Sequence, residues 1–206
     1  MAAGRSGLRA AKGVARREAI LAAALEEFSA RGFAATRLDD VARRAGIAKG
    51  TIYLYFRDKE ALFQELIRSM FGPVVDLLRT LPDNEVPMRE LAEWLMAMFV
   101  REILQTRRKD IVRLIIAEGA RFPKLAEFHY REVVSCVMAT MTGLLEKAAA
   151  RGEVRNVALA RHPQLLLAPG LLAILWGGLF GRFAPLDVEG LLRTHLDILF
   201  GERKTS

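Results

Sequence analysis

Thr36–Phe56 reads TRLDDVARRAGIAKGTIYLYF. Two short helices are predicted within it, over residues 37–44 and 49–55. They are joined at Gly46, where a tight turn needs a positive φ that glycine adopts without strain. Thr36 and Asp39 stand at capping-box spacing, which predicts the start of the first helix. Val41, Ala42, Ile47 and Ile52 fall where they pack between the two helices, and the small Ala42 and Ala45 let the helices cross steeply. Lys49, Gly50, Thr51, Tyr53 and Tyr55 are then left facing outward. A short helix pair with a glycine turn, set after a longer helix, is the geometry that places a second helix in a DNA major groove.

The outward residues suit that partner. A lysine at 49 reaches a phosphate or a guanine, and Gly50 allows close approach of the backbone. The hydroxyl and methyl of Thr51 fit phosphate or thymine, and a tyrosine hydroxyl bonds a phosphate oxygen. Lys59 lies in the first turn of the next helix, where backbone N–H groups also attract phosphate. Aromatic residues at helical spacing are more often core, and Phe56 is read that way. Tyr53 and Tyr55, beside Lys49, are read as exposed.

Upstream, Ile20, Leu21, Ala24, Leu25 and Phe28 form a stripe of helical period that ends at Gly32. Before it lies a basic arm, residues 1–13. Residues 1–17 carry Arg5, Arg9, Lys12, Arg16 and Arg17 and no acid, whereas residues 18–60 hold seven basic and seven acidic side chains. Most of the net charge of +7 therefore sits at the N-terminus, where it attracts polyanions such as DNA or an anionic membrane. A transit peptide shares this composition, but no clear cleavage pattern follows. A secretory signal is excluded because residues 1–20 contain no apolar run.

Downstream, Asp58 is placed to cap a long helix from Lys59, which Gly72-Pro73 is expected to kink or end. After the loop Leu81–Pro87 (LPDNEVP), Leu91, Trp94, Leu95, Met98, Phe99 and Ile103 line one amphipathic face, and Ile111, Leu114 and Ile115 another. A long helix is predicted from Leu125 to about Ala150, ending at Gly152. Two more follow, about 162–182 and 187–200. No stretch alternates with period two. The fold class is therefore all-α: an N-terminal three-helix helix-turn-helix domain followed by a C-terminal helical bundle.

With 52% hydrophobic and 27% charged residues the chain is globular, and a single cysteine, Cys136, rules out an intrachain disulfide and suits a cytoplasmic setting. Pro163–Gly181 carries no charge over nineteen residues and has the length of a membrane span, but Ala-Pro-Gly lies inside it. A buried interface helix explains it as well. The catalytic motifs of phosphate-binding loops, CxxC, HExxH and GxSxG are absent, so no enzyme activity and no cofactor are expected. Glu118 and His129 stand apart from His162 and His195 without ligand spacing, so no metal site is expected either.

The run Gly32–Leu62, GFAATRLDDVARRAGIAKGTIYLYFRDKEAL, closely resembles the DNA-binding domain of TetR/AcrR-family regulators, through its Gly-Phe, Val-Ala, Ala-Gly, Lys-Gly-Thr-Ile-Tyr, Tyr-Phe and Lys-Glu. Arg113–Val133, RLIIAEGARFPKLAEFHYREV, resembles the C-terminal domain of the AefR-like branch. The first resemblance implies DNA contact by Lys49, Gly50, Thr51, Tyr53, Tyr55 and Lys59, with Arg37 and Arg44 as weaker candidates. Ala48 departs from it, standing where such proteins often carry a serine that caps the recognition helix.

The family likeness also implies a domain plan of arm (1–13), DNA-binding domain (14–60) and ligand-binding and dimerisation domain (61–206). Dimerisation is expected through the last two helices, by Pro163, Leu171, Leu175, Leu179, Leu192, Leu196 and Leu199, with Gly170, Gly177, Gly178 and Gly181 allowing close approach. Trp94, Met98, Phe99, Glu118, Phe122, His129, Tyr130 and Trp176 are the candidates to line an effector cavity, although core packing explains each as well. The expected function is a cytoplasmic homodimeric repressor, released from double-stranded operator DNA by an apolar or aromatic small molecule. The alternative is a helical membrane-associated or adaptor protein that does not bind DNA.

Overall fold

The computed structural model describes residues 2–81, 86–154 and 156–202, with residues 2–10 as backbone alone. Part of the expected 81–87 loop lies outside that set. Among the described residues the ten α-helices are α1 (Ala2–Ala35), α2 (Leu38–Arg44), α3 (Lys49–Ile52), α4 (Lys59–Arg79), α5 (Met88–Phe99), α6 (Arg108–Glu118), α7 (Pro123–His129), α8 (Ser135–Ala150), α9 (Gln164–Leu179) and α10 (Val188–Phe200). No strand occurs among the described residues, so the all-α expectation holds. A π-helical turn, Val100–Leu104, follows α5, and a second, Tyr130–Val134, joins α7 to α8.

Two compact units emerge. The first comprises the chain up to Met70 together with Leu114–His129; the second comprises Phe71–Arg113 and everything from Tyr130 onward. The expected domain boundary at residue 60 is thus displaced, and a later segment, the end of α6 with α7, belongs to the first unit.

The core of the first unit is aromatic. Phe33 stacks on Phe28 at 5.6 Å between ring centroids and meets Phe63 and Phe122 edge-on at 5.6 and 5.0 Å. Ile20, Ala24, Val41, Ile52, Leu62 and Ile67 are fully buried around it. The basic arm is no separate segment, for α1 begins at Ala2. Its regular course breaks at Gly32 (φ 75°, ψ 172°), a backbone region open in practice to glycine alone. Gly46 takes the positive φ (66°) that the turn requires.

The capping box at Thr36 does not form. The N-cap of α2 is Arg37, without a side-chain cap, and the Thr36 hydroxyl turns back to donate to the carbonyls of Gly32 (2.7 Å) and Glu27 (3.2 Å). A hydroxyl buried to this degree needs a strong acceptor, and the end of α1 presents two. Asp58 does cap α4, accepting from Ala61 N–H at 2.7 Å. Gly72-Pro73 does not end α4, which continues to Arg79 with Pro73 inside it.

The second unit is built on aliphatic packing. Met88, Ala92, Met96, Met141, Leu145, Leu166, Leu192 and Leu196 form one buried cluster from α5, α8, α9 and α10. Polar bonds fix its helix ends: Glu153 accepts from Met88 N–H at 2.6 Å, and Asp187 from Gly190 N–H at 2.9 Å. Arg89 ties α5 to α10, donating to Asp197 at 2.5 Å and to the Gly201 carbonyl.

α9 is only 16 residues long, short of the ~20 that a span needs, and Pro169 lies within it. By length and composition the helical run Pro123–Ala150 would suffice to cross a bilayer, although it carries Lys124, Glu127, Arg131, Glu132, Glu146 and Lys147.

Candidate nucleic-acid interface

The residues read as facing outward lie at and just after α3. The helix is shorter than its predicted 49–55: Lys49–Ile52 is helical, and Tyr53–Tyr55 form a tight turn with Leu54 N–H bonded to Thr51 and Tyr55 N–H to Ile52. Ile52 and Phe56 are buried and anchor this segment in the core. Their neighbours are thereby thrust out: Tyr53 is 49% exposed and Leu54 83%. Lys49 and Gly50 are exposed, while Thr51 and Tyr55 are half-buried. A side chain at Gly50 would meet nothing inside the chain. Packing within the chain therefore does not require a glycine at this position.

Ala48 is the N-cap of α3, and no side chain satisfies the helix start. Lys49 Nζ lies 2.7 Å from Asp39 Oδ2, and the Asp39 Oδ1 is 3.5 Å from the Tyr53 hydroxyl. The hydrogen bond that Lys49 donates to Asp39, then the charge of that carboxylate, raises the lysine pKa, so Lys49 is a cation throughout the physiological range.

The remaining candidates divide. Arg37, at the start of α2, is exposed. Arg44 is held at home by Glu27, whose nearly buried carboxylate it meets at 2.6 Å. Lys59, expected to bind phosphate, turns inward. Its ammonium donates to the carbonyls of Phe33 (2.8 Å), Ala34 (2.9 Å) and Thr36 (3.4 Å), and it lies 4.6 Å from the Phe33 ring centroid. Arg44 and Lys59 therefore shape the interface from behind. Leu54 and Asp39 were missed by the sequence reading. The signal for Leu54 was its place between two tyrosines, and for Asp39 its place in the first turn of α2.

The eight expected effector residues have separate placements. In the first unit, Glu118 accepts from the backbone N–H groups of Phe33 (2.7 Å) and Ala34 (3.0 Å), and Phe122 belongs to the aromatic core. His129 is largely buried, and burial pushes its pKa down to about 4. In the second unit Met98 is core, and the Phe99 ring fills the notch left by Gly170, 2.6 Å from where a Cβ would stand. Trp176 bonds the Ala184 carbonyl at 2.7 Å and so fastens the turn after α9. Trp94 (41%) and Tyr130 (59%) are exposed. Of the expected dimer residues, Leu171, Leu175 and Leu179 are exposed on α9, but Leu192 and Leu196 are consumed in the unit's own core.

A short recognition helix presenting a lysine, a glycine and a tyrosine, on a chain that is otherwise a helical bundle, defines a DNA-binding regulator of the helix-turn-helix class. Comparison with known proteins then fixes the family. Residues 20–66 match bacterial regulatory proteins of the tetR family, and residues 88–171 match the C-terminal domain of AefR-like transcriptional repressors. The repressor BepR of Brucella suis is 33% identical over 148 residues, covering 68% of this chain and 69% of BepR. The regulator YdgC of Bacillus subtilis is 41% identical over 70 residues, and there the chain spans only 36% of the relative's length. The FadR regulator of Bacillus subtilis, solved with stearoyl-CoA, shares the fold at a TM-score of 0.70 and 20% identity, covering 90% of this chain and 99% of that one. The chain belongs to the TetR family, and it is a DNA-binding transcription regulator of the repressor type.

Proposed function

We propose that the protein acts as a homodimer that represses transcription in the cytoplasm and leaves its operator when a mostly apolar small molecule binds the second unit. It acts by binding alone, without catalysis. The observation that carries the DNA half of this reading is the exposed group at α3, in which Lys49, Gly50 and Tyr53 face solvent while Ile52 and Phe56 hold the segment in the core. Lys49, Gly50, Thr51, Tyr53 and Tyr55, with Arg37, are assigned to DNA contact. Arg44 and Lys59 are assigned to positioning.

Dimerisation is supported by α9, where Leu171, Leu175 and Leu179 share a face and are 45%, 37% and 63% exposed. A row of leucines left in water is what a self-complementary interface would cover. The stearoyl-CoA bound by the Bacillus subtilis FadR supports an effector with a long apolar part and a polar anchor. Met98 and Phe99 are the assigned effector contacts in the second unit.

The test is selection of bound duplexes from a random pool. The expected product is a pseudo-palindrome, since a symmetric dimer presents two recognition helices to two half-sites. Affinity for it should fall steeply between low and physiological salt, because phosphate contacts release counterions. A flat salt response would overturn the reading.

A further inference from the structure

The acids of the first unit do different work. Glu27 is nearly buried beneath Arg44 and Arg31, and Asp40, 16% exposed, is bound to Arg43 and Arg31. Asp58 caps α4. Asp39 differs: its side chain is 42% exposed on the same surface as α3, with one carboxylate oxygen on Lys49 and the other towards Tyr53. An exposed lysine–carboxylate pair contributes little to stability, so the fold gives no strong reason for it. On a surface that meets phosphate, a carboxylate is repelled unless it finds a hydrogen-bond donor. In the major groove the donors are the amino groups of cytosine and adenine.

We propose that Asp39 and Lys49 together read one G·C base pair in each operator half-site, Lys49 donating to guanine and Asp39 accepting from the cytosine amino group. The inference rests on the DNA-binding reading above. Donor and acceptor stand 2.7 Å apart, and a G·C pair presents guanine O6 and the cytosine N4 amino group side by side on its major-groove edge. An A·T pair also offers a donor beside an acceptor. Guanine, however, gives the ammonium two neighbouring acceptors, N7 and O6, and cytosine carries no methyl group to crowd the carboxylate. The free protein thus holds the two reading groups against each other, and the base pair divides them without leaving either charge unpartnered. Tyr53, 3.5 Å from the other carboxylate oxygen, steadies Asp39 in that orientation.

The experiment compares duplexes selected from a random pool by the full-length wild type, Asp39→Asn and Asp39→Ala. Thermal unfolding of each confirms the fold, and Asp39→Asn changes charge with almost no change of shape. The expected result is one symmetric G·C position in the wild-type site, favoured at least about five-fold, the low end of what a good base contact supplies. Asp39→Ala should lose that preference. Asp39→Asn should lose it or move it to A·T, since an amide side chain pairs with adenine. If both variants select the wild-type sequence with a uniform change in affinity, Asp39 only restrains Lys49 and the proposal falls while DNA binding stands. If the wild type selects no duplex, the DNA-binding reading itself fails.

Discussion

The two units are held together by different means. In the first, the passage Gly32–Thr36 is fastened by polar side chains from two other parts of the sequence and by its own threonine. Glu118 takes the N–H groups of Phe33 and Ala34, Lys59 takes the carbonyls of Phe33, Ala34 and Thr36, and the Thr36 hydroxyl takes that of Gly32. Each bond needs one residue type at one place. In the second unit the interior is a cluster of leucine, methionine and alanine whose members are exchangeable by size. The unit that must set a recognition helix to a fraction of an ångström is built from directional bonds. The second unit is built from adaptable apolar surface, and many different sequences would serve there.

The contrast predicts unequal tolerance, and a paired substitution tests it most strongly. Gly32→Ala puts a side chain on a φ of 75° and drives it into the Glu118 carboxylate. Strain of about 1–3 kcal/mol and loss of charge-assisted bonds of about 1.5–3 kcal/mol give a destabilisation of about 2.5–6 kcal/mol. Leu166→Met, at a fully buried site of the second unit, should cost less than about 1.5 kcal/mol. Urea unfolding of both variants measures the difference. Equal losses would remove the distinction between the units.

The same contrast explains what the sequence discloses. The turn at Gly46, the Asp58 cap and the burial of Val41, Ile52 and Phe56 follow from local pattern, since each depends on neighbours within a few positions. The helical character of the second half was legible too, because apolar period and glycine stops survive any choice of packing partner, although the helix expected over Leu125–Ala150 is divided into α7 and α8 by a π-helical turn. Local pattern fails wherever a polar side chain chooses a distant partner. Thr36 was read as a cap on α2 because the spacing fits, but α1 offered it a buried carbonyl. Lys59 was read as facing phosphate, but three carbonyls at and just after the end of α1 hold it. Glu118 sits 85 positions from Phe33, and nothing near it in the chain announces that contact. An acid and aromatics on apolar faces suggested a cavity when three of them, Glu118, Phe122 and His129, belong to the unit that carries α3.

A smaller effect is expected from His129, which tests whether the first unit is also the acid-sensitive one. Burial holds its pKa at about 4 in the folded chain, against an ordinary value of 6.5. Between those values the unfolded chain binds the proton and the folded chain does not. Stability should therefore fall as pH is lowered from 6.5 and level off below about 4, by at most about 3 kcal/mol. His129→Leu should remove that part of the slope. His195 in the second unit is lowered by burial as well, and its contribution is common to both proteins, so the difference between them isolates His129. Chemical denaturation at pH 6.5 and pH 4.5 is the measurement. A wild type and variant that lose stability in parallel would place the acid sensitivity elsewhere.

The smallest effect concerns the start of α3, a place where the first unit lacks a directional bond it could have. Ala48 is the N-cap, with φ −64° and ψ 143°, the extended geometry from which a serine hydroxyl accepts a backbone N–H of the first turn. At present the Ala48 carbonyl accepts from Thr51 N–H at 2.8 Å, and no side chain assists. Ala48→Ser supplies an acceptor without adding bulk at an exposed position. The gain should be about 1 kcal/mol or less, since α3 has only four residues and Ile52 and Phe56 already hold the segment from below. That corresponds to a rise of about 2–4 °C in Tm at most for a chain of this size. The hydroxyl also stands next to Lys49, where it can donate to a phosphate once DNA replaces solvent, so affinity for any duplex should rise together with Tm. A variant that gains stability without affinity would show that α3 was already formed in the free protein and that its start lies clear of the DNA backbone. One that loses stability would show that the missing cap is a feature the turn at Gly46 requires.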